Sequence, residues 1–192
     1  MNRNKLTIGL FGFGCVGYGL HEVLQKTPTL KTNIKTICVK NRNKARQLPA
    51  EYFTFDKYEI LNDPEINVVV ELIDDADAAF EIVSTALEHG KAVVTANKKM
   101  IAEHFAELLA LQKQFNVPLL YEAACCASIP IIHNQLASIS PTLGRARCHS
   151  VGVLNGGQER RLPVGAPSMN RLICSELNSI VRMYARMKKG NI

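Results

Sequence analysis

A chain of 192 residues, 47% of them hydrophobic and 21% charged, is long enough to bury a sizeable core, and its length favours one domain or one and a fraction. Its longest apolar run falls far short of the roughly 20 residues that a membrane span needs, and the N-terminus lacks an apolar signal core with a small-residue cleavage site; no membrane partner and a cytoplasmic location are expected. The formal charge of +6 is unevenly placed: residues 1–136 carry 14 Lys/Arg against 15 Asp/Glu, whereas residues 137–192 carry 9 against 2, so the larger part has no basic footprint for nucleic acid.

The first element is the apolar run Leu6, Ile8, Leu10, Phe11, read as a strand, followed by Gly12-Phe13-Gly14-Cys15-Val16-Gly17 and then by helical apolar spacing over Tyr18 to Lys26. Strand, glycine turn and helix in that order form the setting in which G-x-G-x-x-G binds a dinucleotide. Gly12 permits the turn, Gly14 admits a pyrophosphate close to the backbone, and Gly17 lets helix and strand pack. The N–H groups of the first helical turn would face the anion.

Residues 34–39 alternate as a second strand, and Lys40, Arg42, Lys44 and Arg46 follow it. An NAD-specific site usually offers a carboxylate to the ribose 2′-hydroxyl about 20 residues beyond the glycines. Cations there would instead attract a 2′-phosphate, so NADP(H) is the expected cofactor, with NAD(H) as the lesser one. Residues 48–65 read as irregular, with turn signals at Pro49 and Asn62-Asp63-Pro64. Residues 66–73 form a β-branched run typical of a buried parallel strand, and its end should bring Ile73 and Asp74 to the ligand crevice.

An amphipathic helix over Ala76 to His89 closes at Gly90. The next strand, Ala92 to Thr95, delivers Thr95, Ala96, Asn97, Lys98 and Lys99 to the same edge, where Lys98 is placed for substrate or proton chemistry. Ile101 to Phe115 reads as a helix and Pro118 to Tyr121 as a short strand; a small-residue segment from Glu122 to Pro130 then suits close approach to a ligand or ion. The six cysteines, at 15, 38, 125, 126, 148 and 174, include no C-x-x-C pair and read as reduced thiols.

The motifs G-F-G-C-V-G, V-V-V-E-L-I, T-A-N-K-K and Y-E-A-A-C-C-A-S-I-P-I-I, in this order, resemble the amino-terminal part of homoserine dehydrogenase over about residues 5–136. The resemblance implies an α/β fold, a Rossmann-type doubly wound parallel sheet, and interconversion of homoserine and aspartate 4-semialdehyde with NAD(P), in threonine and methionine biosynthesis. It also implies that Phe13, Gly14, Cys15 and Val16 wrap the pyrophosphate, that Lys40 and Arg42 meet the 2′-phosphate, and that Lys98 takes part in proton transfer at the nicotinamide and substrate. A monovalent-cation site would use the main-chain carbonyls of Glu122, Cys125, Ala127 and Ile129. Many members have a glycine pair where this chain has Asp74-Asp75.

Beyond residue 136 the match fades. Asn155-Gly156 resembles a family segment that Gly157 to Arg161 does not continue, and the family's substrate-binding acids and second catalytic lysine have no counterpart here. Residues 137–192 use 7 Arg to 2 Lys and contain no Phe, against 3 Arg to 11 Lys and all 7 Phe before them. The expectation is a dinucleotide-binding domain at 1–136 and an incomplete, basic C-terminal extension at 137–192, produced by truncation, a reading-frame change or joined sequence. Within the extension Leu172, Ile173, Leu177, Ile180, Val181 and Tyr184 make a helical stripe over about 169–188. Cofactor binding with little turnover, and self-association through an apolar face left uncovered, are expected; the rival is a non-catalytic nucleotide-sensing or interaction module on the same fold.

Overall fold

The computed structural model describes residues 6–28 and 31–121, with Ala124, Ile173, Cys174, Ser175 and Leu177 besides. Strands and helices alternate through it: β1 (Leu6–Phe11), α1 (Cys15–Gln25), β2 (Thr32–Cys38), a 3-10 turn (Ala50–Tyr52), β3 (Phe53–Thr54), α2 (Tyr58–Leu61), β4 (Val68–Glu71), α3 (Ala76–Glu88), β5 (Ala92–Thr95), α4 (Lys98–Phe115) and β6 (Leu119–Leu120). The strands form one sheet in the order β3-β2-β1-β4-β5-β6, and every neighbouring pair runs parallel. This is the order of a doubly wound Rossmann sheet.

Parallel strands covered on both faces read as continuous apolar runs. Val68, Val69 and Val70 of β4 and Val93 and Val94 of β5 are accordingly fully buried. Helix α3 lays Ala79, Ile82, Val83, Ala86 and Leu87 against this core, its first turn capped by the Asp75 carboxylate, which accepts from the Ala78 amide at 3.1 Å. His89 is its C-cap and Gly90 follows with φ 70°, as expected for a helix stop.

The stretch 48–65, expected to be irregular, contains β3 and α2. Two residues of strand and four of helix are too short to print a period on the sequence; β3 is held by pairing with Ile37 and Cys38, and α2 buries Ile60 and Leu61. Helix α4 likewise starts at Lys98, three residues before the apolar stripe, because Asn97 caps it by accepting from the Met100 amide at 2.9 Å.

Away from the glycine turn, the amino ends of β4 and β5 are tied by a buried cation. Lys91 is 4% exposed, and its ammonium donates to the carbonyl oxygens of Asp63 at 2.5 Å and Ile66 at 2.8 Å. Nearby, Lys35 pairs with Asp63 at 2.6 Å and Glu65 at 2.8 Å. In the extension Ile173 and Leu177 are fully buried and belong to the same core; both positions are helical, and the rest of the expected stripe lies outside the described residues.

Candidate functional site

The chain leaves β1 toward β2 on one side and reaches β4 on the other, so the crevice at the carboxyl ends of β1 and β4 is the topological switch point where such sheets bind ligands. Phe11 and Glu71 are register partners at that edge. The glycine turn lies across it. Gly12 has φ 91°, and a Cβ there would meet the Leu72 carbonyl oxygen at 2.7 Å; a Cβ on Gly17 would come 2.5 Å from the Gly12 carbonyl oxygen. Both glycines are therefore required by the fold itself.

Gly14 differs from both. A Cβ built on it meets nothing within 4 Å among the described residues, so none of them demands glycine there, and the open space suits an approaching ligand. Gly14 is the N-cap of α1, with no side-chain cap, and the first helical bond runs from the Tyr18 amide to the Gly14 carbonyl at 3.0 Å. The amides of Cys15, Val16 and Gly17 precede that bond and belong to the unpaired first turn. An exposed helix start with free N–H groups and no acidic residue in its first turn is a ready anion site, so these residues fit a dinucleotide pyrophosphate.

Phe13 and Val16 are half-buried and Cys15 is exposed. The Phe13 ring packs edge-on against Phe53 of β3, centroids 5.3 Å apart, which links the turn to the loop following β2. In that loop Lys40 and Arg42 are exposed, with the Arg42 guanidinium 4.5 Å over the Phe55 ring. Arg46 is engaged differently. Its guanidinium lies 5.0 Å over Phe53 and donates to the carbonyls of Lys44, at 2.9 Å, and Asn41. Arg46 shapes the loop, while Lys40 and Arg42 keep their charges available.

Across the crevice Ile73 is half-buried and Asp74 exposed; Thr95 is fully buried, and Lys98 is exposed as the first residue of α4. Two further residues, to which the sequence assigns no role, join them. The Glu71 carboxylate accepts from the Ile73 amide at 2.6 Å and from the Thr95 hydroxyl at 2.5 Å. Asn97 donates its amide N–H to Thr95 Oγ1 at 3.1 Å and its side-chain amide to the Ile73 carbonyl at 3.1 Å. The signal in the sequence is a lone carboxylate closing an otherwise apolar buried strand. Burial pushes Glu71 up from about 4.5 to about 7, Thr95 and the Ile73 amide oppose this, and Asp74 adds to it.

Glu122, Cys125, Ala127 and Ile129 lie outside the described residues. Among the described residues, no cluster of three or more His, Cys, Asp or Glu could hold a metal ion, and no helix is long and apolar enough to cross a membrane. Cys15, Cys38 and Cys174 are free thiols.

Residues 12–122 match the sequence model of the homoserine dehydrogenase NAD-binding domain. The chain belongs to the homoserine dehydrogenase family. It is 40% identical over 157 residues to homoserine dehydrogenase from Synechocystis sp., covering 78% of this chain and 35% of that one. Among solved structures, homoserine dehydrogenase from Thiobacillus denitrificans superposes with a TM-score of 0.61 at 36% identity, covering 67% of this chain and 32% of that one. A hyperthermophilic archaeal homoserine dehydrogenase in complex with NADPH superposes with a TM-score of 0.58 at 27% identity, covering 67% and 47%. The chain thus spans about a third of the length of the Synechocystis relative it matches.

Proposed function

We propose that this chain is the cofactor-binding part of a cytoplasmic, NADP-preferring homoserine dehydrogenase. The observation that carries the proposal is the pairing of a glycine turn open at Gly14 with an exposed cationic loop at Lys40 and Arg42, where a 2′-phosphate would gain charge-assisted hydrogen bonds. The archaeal relative solved with NADPH and the family membership support it. When bound, the nicotinamide supplies the hydride chemistry.

The chain's own residues would then do the rest. The amides of α1's first turn hold the pyrophosphate, Ile73 and Asp74 border the crevice, and Lys98 reaches from the α4 start to hold or move the hydroxyl proton of homoserine. Within the proposal the unit at 1–136 binds cofactor, and a monovalent cation near Glu122 is a secondary feature. With about a third of that relative's length, the isolated 192-residue chain is expected to bind cofactor with little turnover.

Parallel fluorescence titrations with NADPH and NADH test this. Tight NADPH and weak NADH binding is the expected result; equal affinities would remove the NADP preference, and no binding of either would remove the cofactor role. Measurable homoserine-dependent reduction of NADP by the purified chain would overturn the expectation of little turnover.

A further inference from the structure

We propose that Glu71 is a positioning residue of the cofactor edge, whose carboxylate, through Thr95 and Asn97, sets where the α4 start and Lys98 stand relative to the Ile73–Asp74 loop. The functional consequence rests on the cofactor reading above; the geometry does not. Four residues close a ring. Glu71 accepts from the Ile73 amide, the Ile73 carbonyl accepts from the Asn97 side chain, the Asn97 amide donates to Thr95 Oγ1, and the Thr95 hydroxyl donates to Glu71. Asn97 then caps α4 through Met100, one residue before Lys98. The ring therefore joins the exits of β4 and β5, which border the crevice, to the first turn of the helix that carries the lysine.

The direction of each bond follows from chemistry. Backbone and side-chain amide N–H groups can only donate, so three of the four bonds are fixed, and the fourth takes its hydrogen from the Thr95 hydroxyl when Glu71 is ionised. With Glu71 ionised both carboxylate oxygens are acceptors, and only then does every hydrogen in the ring, the Thr95 hydroxyl hydrogen included, have an acceptor within it. A proton on Oε1 would face the Ile73 N–H; a proton on Oε2 would reverse the bond to Thr95 Oγ1 and turn the Thr95 hydrogen out of the ring. Glu71 and Thr95 are both fully buried, so water does not replace a lost bond cheaply. Among the described residues Asp74 is the charged group that acts on Glu71, and the register partners of Glu71, Phe11 on β1 and Thr95 on β5, carry no charge.

The ring makes cofactor affinity and fold stability respond oppositely to the same proton. Ionised Glu71 satisfies every hydrogen of the cofactor edge but bears the cost of burial, whereas neutral Glu71 relieves that cost and leaves the buried Thr95 hydroxyl hydrogen without its acceptor. Glu71→Gln places an N–H where Oε2 accepts and so mimics the neutral form. NADPH titrations from pH 6 to 8.5, with melting curves, compare the wild-type chain, Glu71→Gln, Thr95→Val and Thr95→Ser.

The wild-type Kd is expected to tighten as pH rises through about 7. Glu71→Gln should be flat with pH and, at pH 8, about five- to tenfold weaker, with a melting temperature no lower than wild type. Thr95→Ser, which keeps the hydroxyl, should restore most of what Thr95→Val loses; that pair decides the matter should Glu71→Gln not fold. A Glu71→Gln protein with wild-type Kd and wild-type pH profile would overturn the proposal. If the wild-type chain binds no NADPH, the cofactor reading fails, and NMR titration of the Ile73, Asn97 and Met100 amides judges the ring alone. Joint titration near 7 that disappears in Glu71→Gln upholds it; amides that do not titrate overturn it.

Discussion

Gly17 stands so close to the Gly12 carbonyl oxygen that a Cβ on it would lie 2.5 Å away, while earlier in the turn, at Gly14, a Cβ would touch none of the described residues. The same motif therefore contains glycines kept for packing and one kept for a ligand. Gly17→Ala should destabilise the chain by about 2 kcal/mol, an ordinary cost of forcing a methyl against packed backbone. Gly14→Ala should change stability by less than about 1 kcal/mol, yet weaken NADPH binding by about tenfold or more through contact with the pyrophosphate. Chemical denaturation and cofactor titration of both variants separate the two effects.

Arg42 and Arg46 should also part company. Arg42→Ala should weaken NADPH about tenfold, in line with loss of a charge-assisted hydrogen bond, and leave NADH unchanged. Arg46→Ala should weaken both cofactors, because its guanidinium holds the loop through the Asn41 and Lys44 carbonyls. Titrations at two salt concentrations add a check: the NADPH advantage should shrink as salt rises.

The stability curve with pH should carry the mark of Glu71. Its folded pKa is raised from about 4.5 to about 7, so between these values the folded state binds the proton more readily than the unfolded one. Its contribution is then full below about pH 4.5 and lost as pH rises through about 7. The loss amounts to about 3 kcal/mol at most. Denaturation midpoints from pH 5 to 8.5 should fall more steeply for the wild-type chain than for Glu71→Gln.

Lys91→Met tests the other end of the sheet. Methionine keeps the apolar stem but leaves the Asp63 and Ile66 carbonyls without the ammonium. Losing hydrogen bonds at buried acceptors costs about 1–3 kcal/mol. The melting temperature should drop without any change in cofactor Kd, since Lys91 lies away from the glycine turn.

Leu177→Ala tests how the extension relates to the sheet. Leu177 and Ile173, four residues apart on a helical face, are fully buried in the common core. Truncating Leu177 should cost about 2–5 kcal/mol, as in other cores. A chain ending at residue 136 should melt lower than the 192-residue chain; equal melting temperatures would mean that the extension adds nothing to the core.

Much of this architecture was legible because parallel strands covered on both faces must be apolar throughout. Residues such as Val68 to Val70 and Val93 to Val94 announce β4 and β5, and the glycine motif marks the turn after β1. The two-residue β3 and four-residue α2 carried no period, and they exist through pairing with β2 and burial of Ile60. Glu71 could be noticed as a charge in an apolar run, but its partners could not. The Thr95 hydroxyl reaches it across neighbouring strands, and only the β4–β5 register brings them together. For the same reason Asn97 read as a polar residue after a strand, when it is both a helix cap and a clasp on Ile73.

The central place of β1 in the sheet has a consequence for how the chain assembles. Its first partner, β2, follows directly, but the other, β4, arrives only when Glu71 comes opposite Phe11, about 60 residues later. During synthesis one edge of β1 stays open until then, and closing so distant a contact is slow. Until β4 pairs, β1 presents an unpaired apolar edge, which is the side of the growing sheet open to aggregation.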